Sequence, residues 1–527
     1  RQPAAVIGGD DGTFRNRKSL FGAVVHSSAV VLSPPGARIY DESDGWEGGP
    51  EESATENWKD FVDRVKNEPR AVAVGANDGM LHVLDAATGA ERFAYVPYAT
   101  YPNLSKLTDP MYQFEPTVDG DIQIRPVFTH GAWRMLLVGS LRGGGQSLFA
   151  LDVTRPSLAN EGDASQIVQW EFSDQGDADL GYTYGQPFIT RLRHDGGRWV
   201  VLVPASYNSQ RVDAAVGTGR AVMLVLDAED GSLIRKFDLT AIDPSARGLA
   251  GIQGTTLVHA DINDYAYAGD LAGHVWRFDL RHPRPASWSV SKMYEPSVKY
   301  ARPITAAPRA EYHPVTRQPM IFVGTGKYIE KSDRSTAIPT QAFYGLIDPM
   351  DGSTLKQADL HTWKVATSGS RRTTVGAPSL LPKSWQIEFD EATFPGERVV
   401  SRASLNIIGH RVIFTTLIPA GDDPCLPGGK SFVMFADFGT GGRASDNVAY
   451  FDTDNDGDID ETDNQNQTGV LSDMVPGVAS ILPPGGGIGA IVLPPAGGTG
   501  TPTTITTREF EWRRRAFRDR TELQGED

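Results

Sequence analysis

The sequence predicts an all-β protein, a seven-bladed β-propeller with insertions and one short helix. Three observations lead there. Short strand-like segments bounded by Gly, Asn, Asp or Pro recur along most of the chain. Six of them end in an aspartate followed by a tight-turn sequence. Only one stretch carries clear helical periodicity. A long all-β chain must close its sheets or repeat them, because open edges template aggregation.

Strands are expected at 71–74, 81–84, 135–138, 148–151, 200–203, 221–226, 321–323 and 411–416, all rich in β-branched or aliphatic residues. The helix is expected within 53–68. There Trp58, Phe61, Val62 and Val65 fall at i, i+3, i+4 and i+7, and Pro69 stops it.

The repeat is clearest at 75–89, Gly-Ala-Asn-Asp-Gly-Met-Leu-His-Val-Leu-Asp-Ala-Ala-Thr-Gly: a turn, an alternating strand, Asp85 and a second tight turn. Weaker copies place Asp152, Asp227, Asp279, Asp348 and Asp437 at the same point. The carboxylate there can accept N–H groups two or three residues on, and Gly supplies the positive φ that closes the turn. The anchors stand roughly 50 to 90 residues apart, whereas a four-stranded blade needs about 40 to 50, so most repeats carry insertions. A seventh blade is expected from the chain ends, with a strand in 23–32 closing against 510–512; six or eight blades also fit the pattern. The boundaries that follow are an N-terminal extension at 1–22, the propeller at 23–515 and a tail at 516–527. Two segments stand outside the repeat. Residues 36–69 hold an acidic insertion and the helix. Residues 475–507, rich in Gly, Pro and Thr, read as a mobile surface loop.

Composition narrows the function. Hydrophobic residues are 40% of the 527, enough for a core. Lys+Arg of 50 against Asp+Glu of 66 leaves a net charge of −16, which argues against nucleic acid or an anionic membrane as main partner and suits divalent cations. Cys425 is the only cysteine, so an intrachain disulfide and a multi-thiolate metal site are both excluded. Cys425 lies in a loop between strands and reads as a buried thiol. No apolar run is long enough to span a bilayer. The first residue is Arg1 rather than Met, which reads as a fragment or processed product with any targeting segment upstream.

The strongest chemical signal is 452–463, Asp-Thr-Asp-Asn-Asp-Gly-Asp-Ile-Asp-Glu-Thr-Asp. Oxygen donors at positions 1, 3, 5 and 9 with Gly at 6 match a calcium loop of EF-hand type. Asp452, Asp454 and Asp456 would point inward, Gly457 lets the chain reverse, Asp458 offers its carbonyl, and Asp460 binds directly or through water. Asp463 replaces the usual Glu at position 12 and weakens that one ligand. The flanks read as strand and coil rather than helices. Without a cation, this many neighbouring carboxylates would repel one another strongly. Two other acidic stretches, Asp261-Ile-Asn263-Asp264 and Asp174-Gln-Gly-Asp177-Ala-Asp179, read as solvated turns. Arg513 to Arg520 reads as a solvated basic terminus. No nucleophile elbow, P-loop or zinc-protease motif occurs, and the histidines are scattered, among them His26, His82, His130 and His259. The chain therefore reads as non-enzymatic.

Several segments, in order, resemble one family. They are 24–28 (Val-Val-His-Ser-Ser), 74–82 (Val-Gly-Ala-Asn-Asp-Gly-Met-Leu-His) and 180–187 (Leu-Gly-Tyr-Thr-Tyr-Gly-Gln-Pro). Further ones are 267–279 (Tyr-Ala-Gly-Asp-Leu-Ala-Gly-His-Val-Trp-Arg-Phe-Asp), 323–328 (Val-Gly-Thr-Gly-Lys-Tyr) and 412–419 (Val-Ile-Phe-Thr-Thr-Leu-Ile-Pro). From about residue 20 to 515 they resemble the C-terminal domain of PilY-type proteins, the tip-associated adhesins and assembly factors of bacterial type IV pili. The resemblance implies a modified, quinoprotein-like propeller. It also implies one Ca²⁺ bound by Asp452, Asp454, Asp456, Asp458 (backbone) and Asp460, with ion binding that biases pilus extension against retraction in twitching motility and surface attachment. It further implies minor pilins, the protein's own upstream adhesive region and host or surface ligands as partners. The implied location is the cell surface at the pilus tip, reached through the periplasm and associated with the outer membrane. The family's von Willebrand-like N-terminal region and its occasional Arg-Gly-Asp are absent from this sequence. The competing reading is a quinone-dependent dehydrogenase on the same propeller, which would call for a cofactor in the central channel and often adjacent cysteines. A scaffold like the barrel-assembly propellers would leave the calcium loop unexplained.

Overall fold

The computed structural model describes residues 14, 15, 19, 21–35, 56–159, 162, 164–205, 207, 217–255, 262–377, 379, 381–406, 410–420, 429–443, 451, 466–472, 480–482, 488–493 and 503–508. The chain divides into two units, Arg1–Leu271 with Trp276–Ser291, and Ala272–Val275 with Lys292–Asp527.

The first unit begins with three four-stranded antiparallel sheets, each built from consecutive strands. The first sheet runs Val30–Leu32, Ala71–Ala76, Met80–Asp85, Glu91–Tyr95. The second runs Ile122–Thr129, Ala132–Ser140, Ser147–Asp152, Val168–Ser173. The third runs Phe188–Arg191, Trp199–Ala205, Val222–Asp227, Leu233–Asp238. A fourth sheet continues the order with Ile252–Thr255, Tyr265–Gly269, Val275–Asp279 and Ser289–Glu295, to which the short strand Leu355–Lys356 adds a fifth, parallel member. Apolar residues on both faces of these strands bury against the neighbouring sheets. Ala73, Leu81, Leu137 and Phe149 pack the first sheet on the second. Leu136, Val138, Val201 and Leu224 pack the second on the third, and Leu202, Met223, Ala266 and Trp276 pack the third on the fourth. Near-continuous apolar runs such as Trp199–Ala205, buried throughout, follow from this two-sided burial.

In the second unit, Arg309–Tyr312, Pro319–Gly324, Ala342–Ile347 and Trp385–Glu388 form one four-stranded set. Ser404–Asn406, Arg411–Thr415, Ser431–Asp437 and Gly469–Ser472 form the next. An inserted hairpin, His361–Ser368 and Arg371–Val375, joins the two into a ten-stranded sheet. It pairs parallel with Trp385–Glu388 on one side and antiparallel with Gly469 and Val470 on the other. The fold is thus all-β and multi-sheeted, built from six consecutive sets of four strands among the described residues.

Every expected anchor stands at the end of the third strand of its set. Asp85 accepts from the N–H of Ala87 (3.0 Å) and Thr88 (2.8 Å), and Gly89 closes the turn at φ 72°. Asp227 accepts from Glu229 N–H (2.9 Å), and Asp437 from Thr440 N–H (3.0 Å). Asp348, one residue past its strand, accepts from Met350 N–H (2.9 Å). Asp152 and Asp279 accept likewise from Thr154 (2.9 Å) and Arg281 (3.2 Å). Two turns carry a further lock. Trp170, on the fourth strand of the second sheet, donates its Nε1–H to Ala228 O (3.0 Å), the residue after Asp227. Trp385, on the fourth strand of its own set, does the same to Phe438 O (2.9 Å), the residue after Asp437. Each tryptophan then covers the turn glycine four residues past the aspartate, Gly231 or Gly441.

The helix is α1, Trp58–Val65, shorter than the 53–68 segment that suggested it. Asn57 caps it by accepting Asp60 N–H at 2.9 Å. Trp58, Phe61 and Val65 are buried, with Trp58 and Trp133 in edge contact at 4.8 Å.

One expectation is corrected. The 475–507 segment, read as a loop, contributes the three-stranded antiparallel sheet Ser480–Leu482, Ile488–Leu493, Thr503–Arg508. Its Ile, Val and Thr runs favour strands, and the Pro and Gly that suggested a loop, Gly489 excepted, lie outside them. The strand within 23–32 narrows to Val30–Leu32 and pairs with Ala71–Ala73, completing the first sheet. Its expected partner, 510–512, lies outside the described residues, as do Cys425 and Arg513 to Arg520.

Candidate functional site

All five candidate calcium ligands, Asp452, Asp454, Asp456, Asp458 and Asp460, lie outside the described residues, and so does Asp463. What the structure defines is the platform on either side of them. On the entering side, Phe451 is buried and meets the ring of Phe435, on the third strand of the last set, edge-on at 5.1 Å. On the leaving side, Arg443 donates to the amide oxygen of Asn466, and Thr468 is fully buried. Thr468 N–H donates to Arg372 O (2.9 Å), Thr468 O accepts from Phe435 N–H (2.8 Å), and the hydroxyls of Thr468 and Thr374 lie 2.8 Å apart. The acidic segment therefore springs from the connection between the third and fourth strands of the last set. Phe435 holds one end and Phe435 with Arg372 holds the other.

Arg372 is a functional candidate that the sequence does not reveal. Its guanidinium is completely buried and forms a bidentate pair with Glu397 at 2.6 and 2.8 Å. It lies 3.4 Å above the ring of Phe432. The fork of Arg matches the two carboxylate oxygens, and this is the geometry in which a buried pair holds together. Nothing in the local sequence around either residue announces the pairing.

The acidic stretches read as solvated turns are solvated only in part: Asp174 is exposed, while Asp179 and Asp264 are buried in ion pairs. Asp177 and Asp179 enclose the Lys236 ammonium, at 2.9 Å from both oxygens of Asp177 and 2.6 Å from Asp179. Burial pushes Asp179 up, but Lys236, a hydrogen bond from Thr218 and the Arg220 charge together more than offset it and hold the carboxyl below its usual range. A lysine thus takes the place a cation would occupy. In the other stretch, Asp264 is buried against Arg193 (3.2 Å) and Asn263 donates to Thr190, while Asp261 is outside the described residues.

Of the scattered histidines, His82 is fully buried between Glu91 (2.7 Å) and Asp78 (3.1 Å). His26 sits on an N-terminal strap. Its Nδ1 lies 2.5 Å from Asp119 Oδ2, and its N–H donates to Asp119 Oδ1 at 3.1 Å. The strap is also held by Gly22 N–H to Asp78 (2.9 Å) and by Gly75 N–H to the Ser27 hydroxyl (2.9 Å). Both histidines are structural in these contacts, and His259 is outside the described residues. In the second unit, a ring nitrogen of His274 and a carboxylate oxygen of Glu295 come within 4.8 Å of one another. No helix among the described residues is long and apolar enough to cross a membrane.

A family model described as the PilY1 beta-propeller domain matches residues 49–369, more than half of the chain. The type IV pilus biogenesis factor PilY1 of Pseudomonas aeruginosa (strain PAO1) is 32% identical over 498 residues, covering 85% of this chain and 40% of that protein. A type IV pilus biogenesis factor PilY1 homolog of Xylella fastidiosa (strain Temecula1) is 30% identical over 465 residues, covering 82% of this chain and 30% of the homolog. The crystal structure of the Pseudomonas aeruginosa PilY1 C-terminal domain matches with a TM-score of 0.68 at 28% identity, over 86% of this chain and 95% of that one. The chain spans two fifths or less of the length of these two curated relatives. Both are pilus biogenesis factors. With the family model and the order of its blade-type sheets in agreement, the chain belongs to the PilY1 β-propeller family.

Proposed function

We propose that this chain is the calcium-binding module of a type IV pilus assembly and tip-associated adhesion factor, and that its calcium state biases pilus extension against retraction. The observation that carries the reading is an all-oxygen donor series with EF-hand spacing, set into a connection whose two ends are pinned to the last four-stranded set. Such donors suit a hard cation, and Ca²⁺ takes six to eight oxygens. Asp452, Asp454, Asp456, Asp458 through its carbonyl and Asp460 would hold it. The ion supplies charge neutralisation that lets these carboxylates converge. The chain's own contribution is a rigid base, so that ordering the acidic segment reshapes one local surface rather than the sheets beneath it.

Minor pilins at the pilus tip are the proposed partners of that surface. Contacts with an upstream adhesive region and with host or surface ligands belong to the longer protein, placed at the cell surface and the pilus tip. For the fold, the reading is a modified, quinoprotein-like propeller of seven blades. The tryptophans that dock on the Asp227 and Asp437 turns support blade-to-blade packing of that kind. A quinone-dependent dehydrogenase finds no support in the pilus biogenesis relatives.

Calorimetry tests the site. The wild-type chain should bind Ca²⁺ at one site, and Asp460→Ala should abolish that binding while the circular dichroism and melting of the calcium-free chain stay unchanged. Undiminished binding by Asp460→Ala would remove the proposed site. A pull-down of minor pilins with calcium or with chelator tests the partner reading separately.

A further inference from the structure

The buried arginines of the second unit are, with one exception, supplied with acceptors. Arg372 has Glu397. Arg302 has Gln386 (2.8 Å) and Glu388 (2.6 Å). Arg398 donates to four backbone carbonyls, those of Gly396, Lys327, Asp333 and Ser335, at 2.7–2.9 Å. Arg402 differs. It lies two residues before the strand Ser404–Asn406, its Nε is cut off from solvent, and that Nε has no hydrogen-bond acceptor. Among the described residues no carboxylate forms an ion pair with it.

Its neighbour in charge is a second arginine. Arg309, at the start of Arg309–Tyr312, donates Nε–H to Ala403 O at 3.0 Å, which brings it onto the residue next to Arg402. Arg309 likewise has no carboxylate partner among the described residues. Arg309 is thus tied to the residue beside Arg402, the Arg402 Nε stays without an acceptor, and no carboxylate among the described residues offsets either charge. Burial and the Arg309 charge push Arg402 down to about 9, and burial pushes Arg309 down as well. A guanidinium does not give up its proton in a protein at neutral pH, so the cost of this pair is relieved by an anion rather than by titration. Both residues keep part of their surface open to solvent, which leaves a small ion a way in. The planar donor forks suit an ion with two or more oxygens.

We propose that Arg309 and Arg402 form a binding site for a small oxyanion, a carboxylate or a phosphate. The site is separate from the calcium segment and does not rest on that reading.

The experiment is thermal unfolding of the calcium-free 527-residue chain at pH 7.5, titrated with inorganic phosphate or with succinate at constant ionic strength. A bound anion raises the midpoint in a saturable way. Phosphate alone, succinate alone or both will identify the source of the oxygens. Arg402→Met should abolish the saturable rise, and Arg402→Lys, which keeps the charge but loses the fork, should weaken it about tenfold. With no anion added, Arg402→Met should melt no lower than wild type, because it removes a charge that no carboxylate among the described residues compensates. Arg309→Lys, also weakening about tenfold, serves if Arg402→Met fails to fold. The proposal is overturned if neither anion gives a saturable rise, or if wild type and both lysine variants respond identically.

Discussion

Arg372 and Glu397 meet side by side with both side chains out of solvent, and the backbone carbonyl of the same arginine receives Thr468 N–H. One residue thus links a buried ion pair to the leaving end of the acidic segment. The inserted hairpin that carries Arg372 has a structural purpose here: it bridges two four-stranded sets and braces the base of the candidate calcium site.

Removing one partner of this pair leaves an uncompensated buried charge. Glu397→Gln or Arg372→Met should each cost about 3–5 kcal/mol, read by urea denaturation of the calcium-free chain. The double variant Arg372→Met/Glu397→Leu should cost less than the sum of the singles. If the singles prove neutral, the pair does not brace this region.

Calcium should act locally. Hydrogen exchange should slow strongly in peptides covering 452–465 when Ca²⁺ is added. It should change little in 431–437 and 466–472, which are already paired. Asp460→Ala should lose the first effect. A calcium effect spread over the whole last set would contradict a rigid base.

The N-terminal strap should loosen in acid. Burial pushes Asp119 up, but hydrogen bonds from His26 and Asn77 and the His26 charge more than offset this and hold its carboxyl below the usual range. Asp121 lies near the same group, with Arg142 and His26 near Asp121 in turn. A carboxylate depressed on folding contributes fully above its unfolded value, about 4, and the contribution is lost as pH falls through the lower folded value. Exchange at residues 21–27 should therefore rise as pH drops below about 4, and Asp119→Asn should show raised exchange already at pH 7. An unchanged profile in Asp119→Asn would remove the carboxylate from the latch.

Gly441 has φ 74°, and a Cβ there would stand 2.3 Å from the Trp385 ring. Gly441→Ala should destabilise by roughly 2–4 kcal/mol, combining left-handed strain with overpacking. Gly89 has a similar φ of 72° but nothing within 4 Å of its Cβ. Gly89→Ala should cost only about 1–2 kcal/mol. Equal losses in chemical denaturation would show that tryptophan docking adds nothing to the turn.

The six aspartate anchors were legible in the chain because each turn is closed by backbone partners two to four residues away, so composition and spacing contain the hydrogen bonds that form the turn, though not the tryptophan locks on two of them. Asp85 illustrates this. Hydrogen bonds from the Thr88 hydroxyl, Thr88 N–H and Arg92 lower it to about 2, and all three lie within seven residues. Helix α1 was legible for the same reason. The 475–507 segment was misread because Pro and Gly outweighed short β-branched runs that become strands only when they find one another.

By itself, then, the sequence determined the strand-turn repeat and the contiguous run of calcium-type donors, since both are local patterns. Only the tertiary structure decided that Lys236 occupies the Asp177–Asp179 cluster, that Arg372 pairs with Glu397, and that Arg309 is tied to the residue beside Arg402 with no carboxylate partner for either among the described residues. Charges meet by sheet stacking and strand pairing, across tens of residues, and no periodicity along the chain records which of them will face each other.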